Sequence, residues 1–260
     1  MARRRLPVGH LHQAAHRLSN LARLFASDLH LDSSAPEAIQ QFLDFLRDHA
    51  AHADALYLLG DVFESWVGDD ESEQDKARVC AALHALTSSG VPCFFLHGNR
   101  DFLLGRDFAS RTGGTILPDP VVAEWDGERV LLTHGDALCV DDLPYQELRT
   151  VVRNPDWQRR FLALPLEVRV RLAGQARKGS QAHTSRTVPV VMDVNERAVE
   201  AAYRSTNTRR IIHGHTHRPG IHDTTVDGQT AQRIVLGAWY EQGSYLFYEQ
   251  GKYELRELPR

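Results

Sequence analysis

LFASDLHL, residues 24–31, is the stretch from which the fold of this chain can be inferred. Its apolar first half is typical of a buried strand, and the strand runs into polar residues at its end. A proline-started amphipathic segment over 36 to about 52 follows, as expected of a helix. Two further apolar runs, 55–61 and 91–101, repeat this unit around a helix predicted over 73–89. Strands that alternate with helices predict an α/β fold in which parallel strands are covered by helices on both faces.

Beyond Gly113-Gly114 the pattern turns to strands, so the class becomes mixed. VVAEWDGERVLLTHGD, residues 121–136, predicts a hairpin that turns at Asp126-Gly127 and whose second arm ends at His134. A helix is expected over 194–206, and closing strands are expected over 209–217, 231–237, 244–250 and 252–258.

Residues 141–193 interrupt this pattern with three predicted helical segments, broken at Asn154-Pro155, Pro165 and Gly174. We interpret them as a helical cap inserted into a core formed by 21–140 and 194–260. Residues 1–20 are expected to be a disordered extension.

The composition is that of an ordinary globular protein, with 260 residues, 42% of them hydrophobic and 25% charged. A chain of this length can bury a core without disulfides or a structural metal. The net charge of −4 gives no reason to expect a nucleic-acid partner.

The three cysteines, Cys80, Cys93 and Cys139, are odd in number and far apart, which favours a reducing compartment and a cytoplasmic location. No apolar run approaches the roughly 18 residues of a membrane span. The arginines at 3–5 have no apolar stretch behind them, so a secretory signal is not expected.

The cap region is locally basic, because nine arginines and lysines stand against two acidic residues between Arg149 and Arg186. Two interpretations remain open from the residues alone. The charges belong either to a solvated face or to a surface that meets an anionic ligand or an anionic membrane leaflet.

The polar residues at strand ends carry the chemical signal, because an α/β scaffold builds its sites in the loops after its strands. Five segments place Asp, Asn or His there: Asp28-x-His30, Gly60-Asp61, Gly98-Asn99-Arg100-Asp101, His134-Gly135-Asp136 and Gly214-His215-Thr216-His217. Carboxylate, imidazole and amide donors without sulfur suit two ions of Mn, Fe, Co or Zn.

We assign the donors to two ions that share Asp61, since close cations need a bridging anion. Asp28, His30, Asp61 and His217 would hold one ion, and Asp61, Asn99, His134 and His215 the other. A water between the ions would be largely hydroxide near neutral pH. We interpret His97 and His213 as structural.

The order D-x-H, G-D, G-N, H-G-D, G-H-x-H resembles the calcineurin-like metallophosphoesterases from Leu24 to about Gly237. The resemblance implies a β-sandwich flanked by helices, with the cap inserted. Most members have His after the asparagine, whereas this chain has Arg100. An arginine can fork onto phosphate oxygens and stabilise the charge of the transition state.

The chain resembles one subgroup of the family more closely. The motifs that carry this resemblance are SDLHL (27–31), GDVFESWVGDD (60–70), GNRDF (98–102), MDVN (192–195) and HGHTHRP (213–219). This resemblance implies hydrolysis of the pyrophosphate of UDP-2,3-diacylglucosamine at the α-phosphorus, in lipid A biosynthesis. The products are UMP and 2,3-diacylglucosamine 1-phosphate, and Mn²⁺ is the expected metal. The enzyme is expected on the cytoplasmic face of the inner membrane, bound to its anionic surface and without a protein partner.

The resemblance also implies substrate contacts from Asn99, Arg100, Asp142, Ser180, Thr184 and His215, with Asn99 and Arg100 as the catalytic residues. Thr184 and Thr187 stand where the subgroup tends to have Asn and Lys. Arg186 or Lys178 is a candidate to replace the missing lysine charge. Apolar residues at 162–172 either line a path for acyl chains or pack the cap onto the core.

Two alternatives to this function remain. Another dinuclear phosphoesterase, such as a nucleotide pyrophosphatase or phosphodiesterase, would use the same metals and would prefer simple phosphodiesters. A scaffold protein of the same fold would bind no metal, although such relatives typically lose ligands and this chain fills every ligand position of the pattern.

Overall fold

The computed structural model describes residues 22–184, 193–240 and 242–259, without the side chains of 180–184. The strands are β1 (Arg23–Ala26), β2 (Ala55–Leu59), β3 (Cys93–Leu96), β4 (Thr115–Ile116), β5 (Val121–Trp125), β6 (Glu128–Leu132), β7 (Arg210–His213), β8 (Gly220–Val226), β9 (Gln229–Val235), β10 (Ser244–Glu249) and β11 (Lys252–Glu257). The α-helices are α1 (Pro36–Asp48), α2 (Gln74–Ser88), α3 (Arg106–Thr112), α4 (Leu143–Val152), α5 (Pro155–Leu162), α6 (Leu166–Thr184) and α7 (Glu196–Thr206).

The strands form two sheets. The first has the order β11-β10-β1-β2-β3-β4, and the second has the order β5-β6-β7-β9-β8. Strands β1 to β4 are parallel, with Leu24 opposite Leu56, whereas β10 is antiparallel to β1. In the second sheet, β6, β7 and β9 are parallel and the two outer strands are antiparallel.

Helices cover one face of each sheet, so the expectation that one sheet has helices on both faces is wrong. Leu24 and Ala26 point toward α1 and α2, while Phe25, between them, packs against the second sheet. On the far side, α7 covers the second sheet through Val199 and Tyr203. Strands that are apolar on both faces need two apolar layers, and here the second layer is a sheet. The α/β class and the sandwich flanked by helices are confirmed.

Helices α4, α5 and α6 occupy the region of the predicted cap, and the start of the first two is set by a side-chain cap. Asp142 accepts a hydrogen bond from the Tyr145 N–H at 3.2 Å, and Asn154 accepts one from the Asp156 N–H at 2.8 Å. The boundaries of the cap as a separate unit stay a prediction. The expected extension over 1–20 and the predicted motif residue Met192 lie outside the described residues.

Sequence patterns missed β8, β4 and α3. Strand β8 lies at the edge of its sheet and is mostly exposed, with only Val226 buried. An exposed edge strand lacks the apolar alternation by which strands are recognised. The expected helix over 36–52 ends at Asp48 and continues as a short 3-10 helix, Ala50–His52.

Candidate metal centre

Both sheets send their strand ends to the same edge of the sandwich. In the first sheet Asp28, Asp61 and Asn99 follow parallel strands β1, β2 and β3, and in the second His134 and His215 follow β6 and β7. Carboxyl ends of parallel strands converge, which is why distant segments of the chain meet here. All seven predicted metal ligands are brought together at this edge: Asp28, His30, Asp61, Asn99, His134, His215 and His217.

One group of donors surrounds Asp28. The Nε2 atom of His217 lies 3.3 Å from Asp28 Oδ1 and 3.4 Å from His30 Nε2. His30 Nε2 is 3.9 Å from the same Asp28 oxygen. Two imidazole nitrogens and one carboxylate oxygen therefore point at a common centre.

A second group surrounds Asn99. Its Oδ1 atom lies 3.0 Å from His134 Nε2 and 2.9 Å from His215 Nδ1. Asp61 lies between the groups, with Oδ2 3.9 Å from His30 Nε2 and 3.9 Å from His134 Nε2. This placement is the one that a bridging carboxylate requires.

The backbone at the site is strained. Five of the seven donors have a positive φ between 51° and 69°: Asp28, His30, Asp61, His215 and His217. Such conformations cost non-glycine residues free energy and persist where the surrounding structure enforces them, which happens most often at functional sites.

Close backbone approach explains the glycines in these motifs. A Cβ on Gly98 would lie 2.3 Å from the Asp61 nitrogen, and one on Gly214 would lie 2.2 Å from Asp28 Oδ2. Any side chain at either position would displace a predicted ligand.

Hydrogen bonds fix the carboxylates and one imidazole. Asp28 Oδ2 accepts from the Ser27 hydroxyl at 2.6 Å and from the His215 N–H at 2.9 Å. The Arg100 N–H donates to Asp61 Oδ1 at 2.7 Å. His134 Nδ1 lies 2.9 Å from a backbone carbonyl oxygen, so its Nε2 is free to act as a donor to a metal.

Two residues at the site, Glu64 and Tyr240, were missed by the sequence analysis, and a third, Asp136, was quoted in a motif but given no role. Glu64 Oε2 lies 2.7 Å from His30 Nδ1, and the Tyr240 ring stacks on the His30 ring at 4.8 Å between centroids. Asp136 accepts from the Tyr145 hydroxyl at 2.6 Å. An acidic residue inside the apolar run after Asp61 was the available signal for Glu64, whereas nothing in the sequence indicates the role of Tyr240.

The remaining predicted residues are placed as follows. The Arg100 guanidinium lies near Glu64, which contacts the predicted ligand His30, with Nη1 3.9 Å from Glu64 Oε1. Asp142 is buried at the start of α4. The side chains of Ser180 and Thr184, and all of Arg186 and Thr187, lie outside the described residues.

Comparison with known proteins identifies the family. The family model described as calcineurin-like phosphoesterase matches residues 23–219. The chain belongs to the calcineurin-like phosphoesterases. A UDP-2,3-diacylglucosamine hydrolase of Stenotrophomonas maltophilia is 49% identical over 92% of this chain and 100% of its own, and one of Escherichia coli is 47% identical over the same shares. A solved archaeal phosphodiesterase, 14% identical, superposes with a TM-score of 0.50 over 92% of this chain and 100% of its own, which shows a shared fold.

The donors present in this phosphoesterase fit the divalent metals of its family. Two overlapping groups, Asp28 with His30 and His217, and Asp28 with Asp61 and His134, each have their donor atoms within 4.8 Å of one another. The donors are oxygen and imidazole nitrogen, a set that Mn, Fe, Co and Zn accept. Of the side chains in these two groups, all except that of His217 are buried. Several ionisable side chains buried together are usually paired with one another or bound to a metal.

Several ionisable groups at the phosphoesterase site have displaced pKa values. Burial raises the pKa of Asp61 to about 6, although the charges of His134 and His30 oppose this shift. Burial disfavours charged His134, but the carboxylates of Asp61 and Asp28 outweigh it and raise the His134 pKa to about 9. Burial lowers the pKa of His215 to about 4, and the charge of His134 adds to this effect. His215 is therefore neutral at pH 7, as a metal ligand must be.

These pKa values predict that metal binding releases protons. At pH 7 a metal must displace the proton of His134, and below about pH 6 it must also displace one from Asp61. Apparent affinity should therefore rise as pH increases from 5 to 9, by about tenfold per pH unit for each proton released. Calorimetric titration of Mn²⁺ in buffers of different ionisation enthalpy measures the proton count. Equal heats in all buffers at pH 7 would contradict this prediction.

Proposed function

We propose that the protein hydrolyses the pyrophosphate bond of UDP-2,3-diacylglucosamine and releases UMP and 2,3-diacylglucosamine 1-phosphate. The observation that carries this proposal is the identity of 47–49%, over the full length of relatives with that named activity. The fold and the convergence of every predicted ligand at one edge support it. Attack at the α-phosphorus, and a place in lipid A biosynthesis, are parts of the same proposal.

The seven converging side chains are the proposed ligands of two divalent ions, with Asp61 between them and Mn²⁺ as the proposed metal. Ions held there would supply positive charge to the phosphoryl oxygens and lower the pKa of water. Hydrogen bonds from Ser27, His215 and Arg100 fix the orientation of the buried carboxylates of Asp28 and Asp61. The Asn99 side chain can offer its oxygen to a metal while its NH₂ group donates to substrate.

Arg100 is the proposed residue for the charge that develops on the phosphorus oxygens. The backbone N–H of Arg100 donates a hydrogen bond to Asp61, the proposed bridging carboxylate. The loop that carries the Arg100 guanidinium therefore also positions Asp61. The leaving group is a phosphate monoester, which departs without the acidic histidine that most family members have at this position. Asp142, Ser180, Thr184 and His215 are the further proposed substrate contacts.

The test is UMP release by the purified protein in the presence of Mn²⁺. UDP-2,3-diacylglucosamine should be turned over, and a non-acylated UDP-sugar should be a much poorer substrate. Chelator should abolish the reaction. Hydrolysis of the non-acylated UDP-sugar or of simple phosphodiesters in preference to the lipid would refute the substrate assignment and favour another dinuclear phosphoesterase.

We further propose that helices α4 to α6 dock the protein on the anionic cytoplasmic face of the inner membrane. They expose large apolar side chains beside the basic ones, including Leu143, Leu148, Val151, Val170 and Leu172. Exposed apolar groups next to arginines suit the interface between headgroups and acyl chains. Among the described residues no helix is long and apolar enough to cross a membrane.

Replacing Leu148 and Val151 together by glutamate is expected to reduce binding to vesicles that contain phosphatidylglycerol, because two exposed apolar contacts are lost and two like charges are added. Cosedimentation measures the effect. Ile221→Glu is the matched control, since Ile221 is 41% exposed on β8, outside the cap. Equal vesicle binding by the double variant and the control would exclude this face as the docking surface.

A further inference from the structure

Glu64 joins three parts of the site through one buried carboxylate, whose side chain is 6% exposed. Its Oε2 atom lies 2.7 Å from His30 Nδ1. Its Oε1 atom lies 2.8 Å from Arg177 Nη2 and 3.9 Å from Arg100 Nη1. The carboxylate therefore contacts a proposed metal ligand, while its other oxygen faces two arginines.

The contact with His30 determines how that ring can serve a metal. His30 Nε2 faces Asp28, Asp61 and His217, so it is the atom available for coordination. A carboxylate oxygen 2.7 Å from Nδ1 favours the tautomer that leaves Nε2 unprotonated. The ring of Tyr240 stacks on the His30 ring and limits movement of His30 perpendicular to its ring plane.

The contact with Arg177 connects the same carboxylate to α6. Two arginines of this helix reach carboxylates of the sandwich, Arg169 at Asp70 and Arg177 at Glu64. The two differ in one respect: Asp70 is 62% exposed and contacts none of the proposed metal ligands in the described residues, whereas Glu64 is buried against His30. Only the second pair can transmit a change at the metal centre to α6.

We infer that Glu64 is a positioning residue that couples metal binding by His30 to the placement of helix α6 through Arg177. This inference rests on the proposed metal centre. A metal held by Nε2 would make the imidazole more positive and strengthen its attraction to the Glu64 carboxylate, and a carboxylate held in this way would keep Arg177 in place. By linkage, a well-placed Arg177 must in turn favour metal binding. The metal centre and the helix that carries Ser180 and Thr184 therefore respond to each other.

The test uses Mn²⁺ binding to the full-length protein and amide hydrogen exchange of α6. Glu64→Gln keeps the size of the side chain but removes its charge, and its NH₂ group would face either His30 Nδ1 or Arg177 Nη2. Mn²⁺ affinity should therefore fall roughly 10- to 100-fold. Arg177→Gln, at a 40% exposed side chain that tolerates replacement, should weaken Mn²⁺ binding less. In the double variant the Arg177 change should have no further effect, because the two residues act through one contact.

Hydrogen exchange supplies the second readout. Mn²⁺ should slow exchange in α6 of the parent protein and should not do so in either single variant. Asp70→Asn is the matched control: it should speed exchange in α6 while Mn²⁺ affinity is unchanged. Unaltered Mn²⁺ affinity in Glu64→Gln, or additive effects in the double variant, would overturn the coupling. If the parent protein binds neither Mn²⁺ nor Zn²⁺, the metal centre itself is refuted, and the coupling with it.

Discussion

Replacing Asp61 by asparagine is expected to remove almost all turnover and to lower the bound metal below two ions per chain. Asp61 is buried between His30 and His134, and in the proposed metal centre its charge would offset the repulsion between two neighbouring cations. Asparagine keeps the shape and removes that charge. If the metals stabilise the transition state by about 4 kcal/mol, losing that stabilisation in Asp61→Asn lowers the rate by about 10³-fold.

Metal analysis after dialysis and UMP release at saturating substrate measure the two parts of this effect. Asp44→Asn is the matched control, because Asp44 lies on the outer face of α1 and pairs with Arg47. The control should retain both activity and metal. Full metal content with normal turnover in Asp61→Asn would refute the bridging role.

Arg100→Ala is expected to lower turnover by about 10²- to 10³-fold, which is typical of losing one group that stabilises transition-state charge. Metal content should be retained, because the backbone N–H of residue 100, not its side chain, holds Asp61. The same assays on this variant therefore separate charge stabilisation from metal binding, which Asp61→Asn does not.

Arg100→Lys should recover part of the turnover, since lysine restores charge but cannot contact two phosphate oxygens with a planar fork. Arg106→Ala, at an exposed arginine at the start of α3, is the control for removing a positive charge from this surface. A variant at position 100 that turns over substrate normally would exclude Arg100 from the chemistry.

The parts of the fold that could be predicted are those written in local patterns. Residues 24–31 and 55–61 predict strands that end in polar side chains, and the structure ends β1 and β2 at Ala26 and Leu59. The Asp126-Gly127 turn predicts the hairpin of β5 and β6. These signals are local because a strand's burial and a turn's backbone are set by adjacent residues.

What could not be predicted depends on contacts between distant segments. The face of β1 that holds Phe25 meets a sheet rather than helices, and an apolar strand alone does not distinguish these partners. Glu64 reads as one acidic residue in GDVFESW until the fold brings Arg177 to it from 113 positions further along the chain. Tyr240 likewise reaches His30 through tertiary structure alone.

The most direct test of the account is hydrolysis of UDP-2,3-diacylglucosamine by the Mn²⁺-loaded protein in ¹⁸O-labelled water, with both products examined by mass spectrometry. Attack at the α-phosphorus places the label in UMP and leaves 2,3-diacylglucosamine 1-phosphate unlabelled, and this is the expected result. Label in the lipid phosphate, or no metal-dependent release of UMP, would contradict the account.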